Sequence, residues 1–170
     1  MQALTLKAVE FIEGDPGSKI LLICDHATNA VPSELGSLGM EFDAFERHIA
    51  YDIGAAAATR LMAQALSAPA ILSGFSRLLI DPNRGGDDPT LVMRISDGAL
   101  IPGNAYIDAA EVERRKQLYW LPYRTAIADK IDQMIQQGPA PLIISVHSMT
   151  HIWKGAERPW EFSILWDKDP

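Results

Sequence analysis

The strongest constraint on the fold is a short apolar run, Ile20–Ile23, that stops abruptly and is followed by His26. Four consecutive apolar residues are typical of a parallel strand that is buried on both faces. A second segment, Pro141–Ser148, has the same pattern and contains His147 near its end. Because α/β sheets hold ligands at the carboxyl ends of their strands, we expect His26 and His147 to meet at one sheet edge.

Two histidines at neighbouring strand ends could be metal ligands, or each could be an ordinary hydrogen-bonded residue of a strand end. The sequence has neither an HExxH nor a CxxC motif, so the spacing alone leaves both interpretations open. His151 lies four residues beyond His147 and would share its face only in a helix. Since Ser145 and Val146 have the pattern of a strand, His151 is the weaker candidate ligand.

Charge and composition narrow the function classes. A chain of 170 residues is most simply one domain that buries its own core. Its 15 basic and 22 acidic residues give a net charge of −7, which argues against nucleic-acid binding because that needs a basic face. An anionic substrate would require local arginines. The single cysteine, Cys24, excludes an internal disulfide and is expected to be a core residue rather than a nucleophile.

The alternation of strands and helices predicts a three-layer α/β/α sandwich. Further strands are predicted at Leu4–Ile12, Ala70–Ser73, Ser76–Asp81 and Glu161–Asp167. Helices are predicted at Phe42–Leu66 and Ala109–Gln137, the second interrupted at Pro122. The turn-rich segment 87–107 is typical of a functional loop. No apolar run reaches the length of a membrane span and no signal peptide opens the chain, so a cytoplasmic location is expected.

Two further groups of polar residues are candidates for function. His48 and Asp52 lie four residues apart in the predicted helix 42–66 and would share a face, which by itself describes a solvated pair. Arg84 lies in a glycine-flanked turn, where a guanidinium is well placed for bidentate recognition of a carboxylate, and Arg77 adds a second cation. The alternative is a structural turn closed by an ion pair between Asp81 and Arg84.

Several short blocks, taken together, are more specific than any one of them. They are Cys24–Asn29 with Val31 and Pro32, His48–Gly54, Ser76–Arg84, Ser96–Gly98, Ile101–Asn104, and His147 with Ser148. In this order they resemble the N-formylglutamate amidohydrolase family over almost the whole chain. The resemblance implies a zinc-carboxypeptidase-like (phosphorylase/hydrolase-like) fold with a mixed, largely parallel sheet between helical layers. It also implies hydrolysis of N-formylglutamate, or of another N-acyl amino acid, to formate and the free amino acid.

The resemblance also implies roles for individual residues. His26 and His147 would bind zinc or another divalent metal, as the corresponding histidines do in zinc carboxypeptidases. Asn29 occupies the position at which those enzymes have a glutamate ligand, so Asp25, Asp52 or a water is expected as the third ligand. The substrate-binding residues expected on this basis are Asn83, Arg84, Arg77, Asn29 and Ser148.

The general base implied by the resemblance lies on a late strand, beyond position 170. We therefore expect this single-domain chain to lack the family's C-terminal segment, to turn over slowly, and to expose a sheet edge that favours a homodimer. Within the chain, Asp52 is the leading candidate for a base and His48 is the second catalytic candidate. The rival interpretation is a non-catalytic carboxylate-binding domain. A nucleotide-binding domain is disfavoured because no glycine-rich loop follows the first core strand.

Overall fold

The computed structural model describes residues 6–153 and 155–166 of the chain. In chain order its strands are β1 (Val9–Ile12), β2 (Ile20–Cys24), β3 (Ala70–Ser73), β4 (Ile95–Ser96), β5 (Ala99–Leu100), β6 (Leu142–Ser145), β7 (Ile152–Trp153) and β8 (Ala156–Glu157). Its α-helices are α1 (Ala55–Leu66), α2 (Pro102–Ala105), α3 (Ala109–Arg115) and α4 (Leu121–Gln137). Short 3-10 helices occupy Ser33–Leu35 and Phe42–Glu46.

A mixed four-stranded sheet forms the centre, with strand order β1-β3-β2-β6. β2 pairs in parallel with both β3 and β6, whereas β1 pairs antiparallel with β3 at one edge. In the register, Leu22 lies opposite Ala70 on one side and Ile144 on the other. The carboxyl ends of β2, β3 and β6 therefore lie at the same edge of the sheet, where ligands of α/β proteins bind.

Helices cover both faces of this sheet because the inner strands are apolar on both faces. Leu22 and Leu72 pack in one buried cluster with residues of α1. Leu21 and Ile71, which alternate with them, belong to a second cluster with Tyr123 and other residues of α4. Since successive side chains of a strand point to opposite faces, α1 and α4 lie on opposite faces of the sheet. The predicted α/β fold with a mixed, largely parallel sheet is confirmed.

The strands that the apolar runs predicted are present. β2, β3 and β6 form where they were expected. Of the edge strand predicted at Leu4–Ile12, Val9–Ile12 forms, and the first two positions lie outside the described residues. Cys24, at the end of β2, is fully buried, and burial raises the pKa of its thiol to about 11, as befits a core residue. No α-helix in the described part of the chain is both long enough and apolar enough to span a membrane.

The single predicted helix 42–66 is wrong in its first half. A 3-10 helix and turns occupy this part, and α1 starts only after Gly54, whose φ of 84° requires the left-handed region. Ala50 and Phe45 are buried in a cluster of loop residues. The backbone N–H of Asp52 donates to the carbonyl of His26, which anchors this segment beside the end of β2.

Two predicted strands are also wrong. Ser76–Asp81 is buried, but it consists of turns whose backbone groups bond to other loops: Ser76 N–H donates to Ala30, and Asp81 N–H donates to Leu91. An apolar run reports burial and does not by itself distinguish a strand from a buried loop. Residues 161–166 form no strand and are exposed, and the final predicted position, Asp167, lies outside the described residues.

The remaining segments agree with the sequence in part. Segment 87–107 is mostly loop, as predicted, with the β4–β5 hairpin and the short helix α2 inside it. The helix predicted at 109–137 is present, and a π-helical turn, Lys116–Trp120, separates α3 from α4. Such a turn before Pro122 accommodates the proline, which has no N–H to donate to the preceding turn.

Candidate active site

His26 lies two residues beyond the end of β2 and is buried, with an exposed fraction of 2%. Its Nε2 atom is 2.8 Å from Oδ1 of Asp81, and its Nδ1 atom is 3.5 Å from Oδ2 of Asp52. The bond to Asp81 places a proton on Nε2, because an ionised carboxylate can only accept. In the neutral ring this leaves Nδ1 with a lone pair. Nδ1 is buried and has no hydrogen-bond partner within the described ranges.

His147 lies two residues beyond β6 and is more open, with 34% of its side chain exposed. Its Nδ1 atom is 2.8 Å from Oδ2 of Asp52. The opposite ring nitrogen, Nε2, is 3.1 Å from Oγ of Ser145 and 3.4 Å from Oδ2 of Asp25. The ring centroids of His26 and His147 are 5.2 Å apart, so the two strand ends converge as the sequence predicted.

Asp52 is the acidic group that the two histidines share. Its Oδ2 atom accepts a hydrogen bond from the backbone N–H of Ser148 at 3.3 Å, and its Oδ1 atom is 3.4 Å from Nη1 of Arg77. Burial alone would raise the pKa of Asp52, but the hydrogen bond from His147 and the nearby ring of His26 outweigh burial and hold that pKa far below its ordinary value. Asp52 is therefore a carboxylate at neutral pH.

In the neighbouring titratable groups, too, burial and paired charges shift the pKa in opposite directions. Burial opposes the charged forms of Asp25, Asp81 and His26, but paired charges outweigh burial in each case. The pKa of Asp25 is lowered by hydrogen bonds from His147 and Tyr123, and the pKa of Asp81 is lowered by His26. The pKa of His26 is raised by Asp52 and Asp81. Bonds to Asp25 and Asp52 raise the pKa of His147 to about 9.

The trio of His26, Asp52 and His147 fits a divalent metal. Its three ligand atoms lie within 4.8 Å of one another. Two imidazole nitrogens and a carboxylate oxygen are a usual ligand set for catalytic zinc, which keeps a further position open. The buried, unpartnered Nδ1 of His26 suits a metal ligand, and Asp81 on its Nε2 is the kind of carboxylate partner that metal-binding histidines have. The donor set therefore fits zinc.

Asp25, which was predicted as a ligand, contacts His147 at the nitrogen opposite the one that faces Asp52. Its Oδ1 atom accepts from the hydroxyl of Tyr123 at 3.0 Å, and Oδ2 accepts from Ser145 Oγ at 3.1 Å. Asp52, rather than Asp25, is the acidic residue that lies beside both histidines. A direct role for Asp25 in binding a metal stays a prediction.

The two predicted arginines differ in how far their guanidinium groups are already engaged. Arg77 bonds to Asp52 and Asp81 through its two Nη atoms, at 3.4 and 3.1 Å, and its buried Nε has no partner in the described structure. Arg84 is 46% exposed, and its nearest acidic atoms, on Asp81 and Asp88, are 3.9 and 3.8 Å away. Arg84 is therefore the freer cation at the edge of the site.

The remaining predicted site residues lie around this cluster. Asn29 donates from Nδ2 to the carbonyl of Phe45 at 2.8 Å, and Ser148 contributes its backbone N–H to Asp52. The side chain of Asn83 is exposed, and its backbone N–H donates to Asp81. His48 is on no helix and lies 3.5 Å from Asp97, so its predicted pairing with Asp52 on one helix face is wrong. His151 pairs with Glu157 at the exposed β7–β8 hairpin.

Comparison with known protein families identifies the same family as the sequence motifs at this site. A family model for N-formylglutamate amidohydrolase matches residues 18–169. The chain belongs to this family. The match contains both strand-end histidines, Asp52 and the Asp81–Arg84 turn. The resemblance that the sequence blocks indicated is thereby confirmed.

Two solved structures are similar to this family member. One is a gene product from Agrobacterium tumefaciens, with a TM-score of 0.89 and 31% identity, covering 96% of this chain and 65% of that one. The other is N-formylglutamate amidohydrolase from Ralstonia eutropha, with a TM-score of 0.62 and 20% identity, covering 83% and 56%. The second likeness shows the fold alone. The chain spans less than two thirds of either structure's length, and no curated protein matches it.

Sequence reasoning missed Tyr123 and Ser145 as parts of the site. Tyr123 belongs to the apolar stripe of α4 and packs in a buried cluster with Phe75, so the sequence pattern gave no sign that its hydroxyl has a polar partner. Ser145 ends β6, and it was read only as part of the strand before His147. A polar residue at the end of an apolar strand, two positions before His147, was the available signal.

Proposed function

We propose that the chain hydrolyses the N-formyl amide of an acidic amino acid, so that N-formylglutamate and water give formate and glutamate. The observation that carries this proposal is the convergence of His26, Asp52 and His147 at one edge of the sheet. Family membership supports the class of reaction. A divalent metal, zinc by its ligand preferences, supplies Lewis-acid chemistry at the formyl group and at water when it is bound by the trio.

The protein holds the three ligand side chains in place through other residues. Asp81 fixes the ring of His26 through Nε2, and the backbone N–H of Ser148 bonds to Asp52. Arg77 bridges Asp52 and Asp81, so the two carboxylates are held by one guanidinium. Groups held in this way need little rearrangement when substrate binds, which is how an ordered site lowers an activation barrier.

Recognition of the substrate's carboxylate falls to Arg84. Arg77 is committed to two buried carboxylates, whereas Arg84 is half exposed and its nearest acidic atoms are at almost 4 Å. A guanidinium in this state can exchange weak contacts for a bidentate pair with a carboxylate. Local cations are needed here because the substrate is anionic and the chain carries a net charge of −7. The exposed amide of Asn83 lies next to Arg84 in sequence and is available to the same group.

Formate release and metal content test the reaction directly. The purified chain is loaded with zinc, its metal content is measured, and formate release from N-formylglutamate is followed. We expect about one zinc per chain and formate release that a chelator stops and added zinc restores. Binding of N-formylglutamate without any release of formate would favour the rival function, a carboxylate-binding domain.

The role of Arg84 is tested by substitution. The bound substrate would enclose its ion pair with Arg84, and loss of one partner of an enclosed charge pair costs about 2–5 kcal/mol. Arg84→Ala should therefore strongly weaken the binding of N-formylglutamate. Two analogues of N-formylglutamate, each with one carboxylate replaced by an amide, show which carboxylate Arg84 binds. The analogue that already lacks that carboxylate should lose less affinity on Arg84→Ala than the other analogue. Arg60→Ala is the matched control, because Arg60 is a half-exposed arginine that pairs with Glu10 away from the site. Equal losses with all substrates would make Arg84 a structural residue.

A further inference from the structure

A network of hydrogen-bonded polar side chains runs from Tyr123 and Asp25, which are buried, to Ser145 and His147, which are exposed. It consists of Tyr123 on α4, Asp25 after β2, and Ser145 at the end of β6. Tyr123 donates its hydroxyl to Oδ1 of Asp25 at 3.0 Å, and Ser145 Oγ is 3.1 Å from Oδ2 of the same carboxylate. We call these three residues the positioning network. They come from three elements that the fold brings together at one edge of the sheet.

The direction of each hydrogen bond follows from the chemistry of the groups. The carboxylate of Asp25 has no proton, so Tyr123 and Ser145 must both donate to it. A serine hydroxyl has one proton, and once that proton is given to Asp25 the oxygen can only accept from the remaining neighbour. That neighbour is Nε2 of His147, at 3.1 Å, so Nε2 carries a proton. The other nitrogen, Nδ1, is then the atom presented to Asp52 at 2.8 Å.

His26 has the same arrangement of its two ring nitrogens as His147. There Asp81 takes the Nε2 proton directly, and Nδ1 faces Asp52. Both histidines therefore present Nδ1 towards Asp52, and each has its Nε2 held by a buried carboxylate. His26 is held directly, whereas His147, which is more exposed, is held through the hydroxyl of Ser145. Without that hydroxyl nothing else among the described contacts fixes Nε2 of His147 except the longer approach of Asp25, at 3.4 Å.

Tyr123 gives the network its rigidity. Its ring is buried and packs edge-on against Phe75, with centroids 6.3 Å apart, so the hydroxyl has a fixed position. Asp25 is also buried, and a buried carboxylate is retained where its charge is paired or hydrogen-bonded. The apolar core under α4 thus sets the place of Asp25, and Asp25 sets the place of the Ser145 hydroxyl.

We propose that Tyr123, Asp25 and Ser145 are positioning residues that hold the ring of His147 with Nε2 protonated and Nδ1 directed at Asp52. This inference rests on the proposed function only in assigning a metal to Nδ1. The orientation of the ring itself is a property of the metal-free protein. Partners of this kind change metal affinity by about 10- to 100-fold when they are removed.

The first experiment uses proton NMR of the metal-free protein and looks for the Nε2–H signal of His147. Because this side chain is one-third exposed, its N–H remains visible only if a hydrogen bond slows exchange with water. We expect the signal in the wild type and in Ser145→Thr, which keeps the hydroxyl, and its loss in Ser145→Ala. Tyr123→Phe should broaden it. Tyr119→Phe is the matched control, since Tyr119 packs on the same Phe75 but has no bond to Asp25 within the described structure.

The second experiment measures zinc affinity by competition with a chelator, at one pH and with the fold of each variant verified by urea unfolding. We expect Ser145→Ala and Asp25→Asn to bind zinc about 10- to 100-fold more weakly, Tyr123→Phe to lose less, and Ser145→Thr and Tyr119→Phe to match the wild type. If Asp25→Asn fails to fold, the Ser145 pair still decides. A folded Ser145→Ala that keeps both the Nε2–H signal and full zinc affinity would overturn the proposal.

The two experiments also separate this inference from the proposed function. A wild type that shows the protected Nε2–H but binds no zinc would contradict the proposed metal chemistry and leave the positioning network standing. Zinc binding and formate release that are unchanged in Ser145→Ala, together with an unchanged Nε2–H, would contradict the positioning network alone.

Discussion

β2 and β6 are hydrogen-bonded neighbours, but β2 is an inner strand of the sheet and largely buried, whereas β6 is an exposed edge strand. Leu22 of β2 is fully buried, whereas Leu142 of β6 is 61% exposed. α1 packs on β2 and β3 on one face, and α4 packs on β1 and β3 on the other. Of β6, Ile144 packs against the cluster that α1 covers, while the two residues before it are exposed. The candidate site takes His26 from the enclosed side, next to β2, and His147 from the open side, next to β6.

This difference separates the residues that hold the fold from those that complete the site. The enclosed half contains the apolar clusters and a buried polar group, Arg115, which donates to the carbonyl of Leu79 and to Asn104. The open half adds one strand, Ser145 and His147. Substitutions on the enclosed side should therefore affect stability most, and those on the open side should affect the site with little loss of stability.

The largest effect is expected at Arg115, which is buried and joins α3 to the loops beside the site. Arg115→Met removes the donor to two buried acceptors, the side-chain oxygen of Asn104 and the Leu79 carbonyl. Each buried acceptor left unsatisfied costs about 1–3 kcal/mol, so we expect the loss of both to exceed the effects of the substitutions below. Urea unfolding measures this loss. Arg114→Met is the matched control, because Arg114, like Arg115, bonds to Glu111, but from the surface. Similar losses in the two variants would contradict the distinction between buried and exposed partners.

A leucine of each strand tests the comparison most directly. Leu22→Ala should lower the free energy of unfolding by about 2–5 kcal/mol, because it removes a fully buried side chain and leaves a cavity. Leu142→Ala should lower it by less than about 1 kcal/mol, because Leu142 is largely in water already. The two variants are compared by urea unfolding at one protein concentration. Equal losses would show that β6 is covered in solution, as it would be in the predicted homodimer.

The two histidines should lose metal binding equally and stability unequally. His26→Ala leaves buried Asp81 with one fewer donor and should cost about 1–3 kcal/mol of unfolding free energy in the metal-free protein. His147→Ala should cost less, since this side chain is partly exposed and lies beyond the end of its strand. Zinc content and urea unfolding are measured on both. Retention of zinc by both single variants would exclude the trio as the metal site.

The smallest expected effect is the pH dependence of the stability that Glu111 contributes on the enclosed side. Bonds from Arg114 and Arg115 hold the pKa of Glu111 at about 2, below its ordinary 4.5. As pH falls, the unfolded chain takes up this proton first, so the stabilising contribution is present above about pH 4.5 and is lost towards about pH 2. Glu111→Gln should therefore lower stability at pH 7 by about 1 kcal/mol or less, and the difference should shrink at pH 3.

Glu113→Gln provides the control for that comparison. It makes the same change of charge two residues further along α3, where the carboxylate is exposed and lies 3.8 Å from Lys116. The measurement is the urea midpoint of wild type and both variants at each pH. A difference between Glu111→Gln and wild type that grows on acidification would contradict the stated sign.

The sequence predicted the elements whose residues carry a local signal. The apolar runs identified β2, β3 and β6, and parallel pairing then brought His26 and His147 together. Strand geometry could not show that residues 76–81 are a buried loop, because burial by other loops produces the same apolar run. Asp52 was recognised as a candidate, but in a helix that does not form, since a left-handed Gly54 ends the segment before α1.

The contacts between distant elements could not be predicted. Tyr123 reaches Asp25 across 98 positions, and Ser145 reaches it across 120. Each of these residues has an ordinary role in its own element, as part of an apolar helix face or as the last residue of a strand. Their shared role depends on which helix covers which face of the sheet, and the local pattern contains no information about that.

The buried position of Cys24 has a practical consequence for measuring the protein. A thiol-specific reagent has one cysteine to attack, and that thiol is fully enclosed at the end of the central strand. With a pKa of about 11 it is almost entirely protonated at neutral pH, and the protonated thiol is unreactive. Modification therefore requires the strand to open, and its rate reports the free energy of that opening. The chain carries its own chemical reporter of unfolding, without an added label or an engineered residue.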